Sequence, residues 1–159
     1  MAGHDLRMRL ILLGLLLTWT LAAQSSSGYL TAGPGSTRGK LITSYAFGAE
    51  WVGRKSLGIG GEFGVVAGQS SFGFIAGNFY YHFPPANAAK KLDPFVTAGA
   101  GAIVEILADP AAIVTVGGGV NYWFHSRLGL RFEVRDIIVP NVRYHNRHLW
   151  GVRAGIAIH

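Results

Sequence analysis

Over residues 128–138 the chain reads L-G-L-R-F-E-V-R-D-I-I, and its side chains alternate in character. Leu128, Leu130, Phe132 and Val134 are apolar, whereas Arg131, Glu133 and Arg135 are ionised. A period of two belongs to a β-strand, whose successive side chains leave on opposite faces. The second face is the constraint: three charges in a row, alternating in sign. A soluble sheet would turn that face to water and the Leu/Phe face to a core. A membrane barrel would do the reverse, with Leu and Phe against lipid and the charges paired in a polar lumen.

The 159 residues provide for one domain, and the first 23 are expected to lie outside it. Arg7 and Arg9 precede an apolar run over residues 10–17, and small residues follow at Ala22 and Ala23. This is the layout of a secretory signal peptide, residues 1–23, cleaved after Ala22 or Ala23, which leaves residues 24–159 as the domain. The apolar run is too short to span a bilayer comfortably, and Ser25, Ser26 and Ser27 follow it.

The absence of cysteine excludes disulfides and thiol chemistry. Of the 23 glycines, 21 lie beyond residue 23, about twice the usual share, with no collagen-like period. They fall inside the alternating runs, where small residues suit a sharply curved wall or an interior crowded by a few large side chains. Beyond residue 23 no 18 consecutive residues are apolar, so this part could cross a bilayer only as a barrel.

The alternation predicts strands over residues 43–52, 57–66, 72–83, 95–105, 112–124, 128–138 and 149–159. An eighth, first in order, is inferred over residues 29–33, ending before Pro34, with a loop at residues 35–40. Phe72 and Phe74 break the parity of their run, which predicts a bulge or a strand start. All connections are short enough for antiparallel neighbours, giving an eight-stranded up-and-down barrel. Inside the seven clear strands, terminal residues aside, the less apolar face carries the charges Glu50, Glu62, Arg131, Glu133, Arg135 and Arg153. With a periplasmic N-terminus, Trp51, Tyr81, Phe83, Phe95, Tyr122 and Phe124 gather at one rim as an interfacial girdle. Trp150, Tyr45 and Phe72 mark the other rim more sparsely. A soluble lipocalin-like barrel would keep its charges outside and an apolar cavity inside. The pattern favours lipid.

In this arrangement the chain resembles the small eight-stranded outer-membrane barrels of the OmpA/OmpX-like kind. The likeness spans residues 29–159 and is most specific in P-F-V-T-A-G-A-G-A (residues 94–102), L-G-L-R-F-E-V-R-D (128–136) and the closing W-G-V-R-A-G-I-A-I. Such proteins usually end on an aromatic residue read by the barrel-insertion machinery, where this chain has His159. The resemblance implies a transmembrane barrel in a bacterial outer membrane, and that fold hosts several activities.

Catalytic chemistry finds little support in the residues. His125 and Ser126 are adjacent, which suits a tight turn with the two side chains apart. The lipid A deacylases are similar in size, but their His-x-Ser-Asn signature is absent. His145, Arg147 and His148 lack the spacing of a metal site. Gly33-Pro34-Gly35 and Gly58-Ile59-Gly60-Gly61 precede no helix, so they do not cradle phosphate. Beyond residue 23 the net charge is +5, spread among turns rather than along one stripe, which argues against nucleic acid.

The sequence therefore predicts a monomeric, non-enzymatic, surface-exposed protein without cofactor or metal, its lumen plugged by paired Arg and Glu. A narrow pore and a lipid-modifying enzyme are the alternatives. Arg38, Lys40, Arg143 and Arg147 fall on outward connections and are expected to meet lipopolysaccharide phosphates.

Overall fold

The computed structural model describes residues 23–53, 56–68, 71–84, 91–104, 111–140 and 147–159. They form eight strands: β1 (Ala23–Thr37), β2 (Lys40–Gly53), β3 (Leu57–Ala67), β4 (Phe72–His82), β5 (Leu92–Val104), β6 (Ala111–His125), β7 (Leu128–Val139) and β8 (Arg147–Ile158). Each pairs antiparallel with its sequence neighbours, and β1 pairs with β8 to close the barrel. The start of β1 and His159 share one end, here the terminal end. The Arg38–Gly39 turn lies at the far end. Ala23 apart, the expected signal peptide lies outside the described residues.

The wall is apolar outside and charged inside. Leu30, Phe47, Phe79 and Val134 stand outward and exposed, whereas Arg131 is 0% and Glu133 2% exposed. Among the described residues the outward face of the strands carries no charge except near the far rim, where Asp136 meets His148 at 2.6 Å. Water would be a poor solvent for such a surface. A bilayer satisfies it, because every strand edge is paired and the outward side chains match hydrocarbon. No described helix is long and apolar enough to cross a membrane.

Four local expectations are corrected. β1 does not stop at Pro34 but runs 15 residues to Thr37. Its ladder with β8 passes from Ala32↔Ala154 to Gly35↔Gly151, so the missing N–H of Pro34 falls where pairing lapses. The loop at residues 35–40 is instead a two-residue turn. Arg38 (φ 48°) and Gly39 (φ 75°) both take positive φ, the type I′ geometry that matches the twist of a tight hairpin. β5 begins at Leu92, which draws Asp93 and Pro94 into the wall, and Phe83 N donates to Pro94 O at 2.8 Å.

The strand start expected near Phe72 and Phe74 is found: β4 begins at Phe72 and keeps unbroken register with both neighbours. Phe74 points inward with Ala76, Asn78, Tyr80 and His82, and the inner face is simply apolar at that level. Register shifts lie between Ala23 and Ser25, at the start of β1, and between Trp123 and His125, at the end of β6. The following turn is Ser126–Arg127, one residue later than expected.

Candidate functional site in the charged lumen

The site is the lumen, and register assembles it. β7 turns Arg131, Glu133 and Arg135 inward, and the β7–β8 ladder sets Arg153 directly across from Glu133. β2 and β3 bring Glu50 and Glu62 from the opposite wall. The six predicted lumen residues are all buried, and they meet.

Arg153 grips Glu62 with both terminal nitrogens, at 3.0 and 3.1 Å, and reaches Glu133 Oε1 at 2.9 Å. Arg135 Nε donates to the same Glu133 oxygen, and its other nitrogens reach Glu62 at 3.4 Å and Asn78 Oδ1 at 3.2 Å. Arg131 Nε donates to Glu133 Oε2 at 3.1 Å, and its Nη1 lies 3.5 Å from Glu50. Three guanidiniums therefore converge on Glu133. Burial makes each ion expensive alone, and the planar forks supply the several hydrogen bonds that offset it.

The structure reassigns two rim aromatics: Phe72 packs against the apolar cluster at the far end of the lumen, and Phe95 turns inward. It shares the inward parity of Thr97 and is 2% exposed. Its ring lies 4.0 Å from the Arg131 guanidinium carbon, with the Tyr29 ring 4.2 Å from that carbon. The sequence reading placed Phe95 by its nearness to the strand end; parity decides, because a one-residue step reverses the face. Trp51, Tyr81, Phe83, Tyr122 and Phe124 stand outward toward the terminal end, and Trp150 outward toward the far end.

Other lumen residues were legible only as inward positions. Tyr29 donates to Glu62 at 2.8 Å and touches Tyr80 OH at 3.0 Å. Thr115 donates to Asn78 at 2.7 Å, and Ser27 to Glu50 at 2.9 Å. His82 Nδ1 lies 2.8 Å from Asp93 Oδ1, and Asn121 donates to Asp93 Oδ2 at 3.1 Å. Glycines make the space: a Cβ on Gly48 would lie 2.5 Å from the Tyr29 ring.

The far end is closed by Ile42, Val66, Phe74, Ile113, Ile137 and Leu149. The terminal end holds a cavity of about 280 Å³. Of the four cations expected to face lipopolysaccharide, Arg38, Lys40 and Arg147 stand exposed at the far end, and Arg143 lies outside the described residues. His125 and Ser126 are closer than expected, with Oγ 3.5 Å from Nδ1, on an exposed turn. His148 pairs with Asp136, while His145 is outside the described residues.

No family model and no curated protein matches the sequence. Solved structures do. Neisserial surface protein A aligns at TM-score 0.65 and 13% identity, over 84% of this chain and 94% of that one. The fold is that of a small outer-membrane barrel. The N-terminal β-barrel domain of Pseudomonas aeruginosa OprF aligns at TM-score 0.61 and 13% identity, covering 86% and 99%. The outer membrane enzyme PagL aligns at 0.63 and 15% identity, covering 82% and 99%. At these identities the likeness concerns fold, and it bears out the OmpA/OmpX-like architecture read from the sequence.

Proposed function

We propose that this outer-membrane barrel is a structural, surface-exposed envelope protein, neither a catalyst nor an open pore. One observation carries the reading: three arginines and three glutamates interlock across the lumen, with Arg131 and Arg153 0% and 1% exposed. An eight-stranded barrel is only wide enough to be filled by side chains, and here they are paired ions backed by an apolar lid. The likeness to the enzyme PagL extends to its fold. His125 and Ser126, adjacent in sequence, sit on an exposed turn.

The terminal end is periplasmic in this reading, and residues 1–23 direct export as a cleaved signal. The outward aromatics Trp51, Tyr81, Phe83, Tyr122 and Phe124 seat one lipid interface, with Trp150 toward the other. Arg38, Lys40 and Arg147, with Arg143, meet lipopolysaccharide phosphates. The chain works as a monomer, delivered by the barrel-insertion machinery.

Planar-bilayer recording of the refolded protein tests the plug, and no steady ion conductance is expected. Sustained conductance would transfer the function to a narrow pore. A mass shift of lipid A in cells expressing the protein would make it a lipid-modifying enzyme. Labelling of His145→Cys on intact cells tests orientation, and reaction only after permeabilisation would invert it.

A further inference from the structure

The terminal-end cavity of about 280 Å³ is walled by Ser27, Glu50, His82, Asp93, Trp123 and His159, among others. Two atoms of this wall have no hydrogen-bond partner among the described residues: Glu50 Oε2 and His82 Nε2. Both side chains are more than nine-tenths buried, at 1% and 7% exposure. The remaining atoms are committed. Ser27 donates to Glu50 Oε1, Asp93 Oδ1 holds His82 Nδ1, and Asn121 donates to Asp93 Oδ2.

His82 lies between two carboxylates: Asp93 Oδ1 holds Nδ1 at 2.8 Å, and Nε2 lies 3.8 Å from Glu50 Oε1, beyond hydrogen-bond reach. Glu50 Oε2 is a carboxylate oxygen and can only accept, so whatever satisfies it must donate.

Charge points the same way. The described lumen holds four carboxylates, Glu50, Glu62, Asp93 and Glu133, against the guanidiniums of Arg131, Arg135 and Arg153. The guanidiniums are one short of the carboxylates. Glu62 and Glu133 are each bound by two or more arginines, whereas Glu50 has Arg131 alone, at 3.5 Å. The deficit thus lies at the Glu50 level, beside the cavity. Trp123, stacked on His159 at 3.9 Å, adds an indole ring to the wall.

We propose that this vestibule binds a small organic cation bearing N–H donors, a primary ammonium, through Glu50 and His82 with Trp123 alongside. A lone metal ion fits less well. Among the described residues no three His, Asp or Glu side chains converge to hold one. Asp93 is turned to the other nitrogen of the same imidazole, and the space admits several heavy atoms. The proposal uses only terminal-end residues and stands whether or not the barrel conducts.

The test is titration of the full refolded protein in detergent with propylammonium, tetramethylammonium (equal charge, no donors) and Zn²⁺. Calorimetry and the His82 imidazole nitrogen shifts are the readouts. Propylammonium should saturate and move the Nε2 resonance, and tetramethylammonium should bind about tenfold more weakly for want of donors. Glu50→Gln removes the charge and keeps the shape. His82→Phe keeps a ring near Tyr80 and Phe95, whose centroids lie 6.4 and 5.8 Å from that of His82. Each should weaken propylammonium by about tenfold. If a variant fails to fold, the other and the tetramethylammonium comparison decide. Absence of saturation, equal binding of tetramethylammonium, or unchanged affinity in a folded variant would overturn the proposal. So would zinc binding tighter than the amine.

Discussion

At the far end of the lumen, Phe74, Val66, Ile113, Ile137, Ile42 and Leu149 form an apolar cluster, and the cavity that Ile42, Val66, Ile137 and Leu149 help to line there holds about 10 Å³, roughly one water. At the terminal end, Glu50, His82 and Asp93 face about 280 Å³ of open volume. The same eight strands build both ends, and the outer wall is apolar beside each. A barrel whose outside is committed to lipid leaves its inside free to be either core or site. Here the apolar lid keeps water from one side of the ion network, which strengthens the pairs beneath it. The vestibule leaves the other side within reach of solvent.

The largest effect is expected between the two ends. Glu133→Gln strands Arg131, Arg135 and Arg153 together and should cost about 3–5 kcal/mol in urea unfolding from detergent or lipid. Pairing it with Arg131→Met should cost less than the two singles summed. Additive losses would mean that the network is hydrated and the two ends are equivalent. Next comes Phe74→Ala, which opens a cavity in the lid and should cost about 3–4 kcal/mol. Its sharper readout is hydrogen exchange, faster at the far end and unchanged around the vestibule. A uniform rise would dissolve the distinction between them.

Phe95→Leu keeps an apolar side chain below Arg131 but loses the ring face, and about 1–2 kcal/mol should go with it. The smallest effect is Gly39→Ala, a positive-φ turn residue at the far end, at about 1 kcal/mol by the same unfolding measurement. It should leave the terminal end untouched.

Parity carried most of the architecture. Alternation over Arg131, Glu133 and Arg135 placed the charged face inward, and the same rule put Glu50, Glu62 and Arg153 with them. What failed was inference from residue type or breaker identity where parity or pairing decided. Phe95 was assigned to lipid as an aromatic near a strand end, although Thr97 on its own face points inward. Phe74 broke the apparent parity of its run because an apolar residue on the inner face is invisible until the lid it joins is seen. Pro34 read as a stop because the lapse in the β1–β8 ladder depends on a strand more than a hundred residues away. The Asp93–His82 contact was hidden for another reason: with its strand expected to begin at residue 95, Asp93 fell in the connection rather than in the wall.

The seam between β1 and β8 bears on how the cylinder is made. The other seven ladders join consecutive strands, so each can form as a local hairpin as soon as its turn exists. The closing ladder joins Gly28 to Ile158, and the chain between them must already be ordered to bring these together. Entropy makes such a closure late, and non-local pairings of this kind set the pace of folding. The lapse at Gly33 and Pro34 divides the seam into a run from Gly28 to Ala32 and a short remnant at Gly35 and Ser36. Zipping should start with the longer run beside the termini and finish at the far end. Reopening should run the other way, so the route into the membrane ends, and the route out of it begins, at a proline.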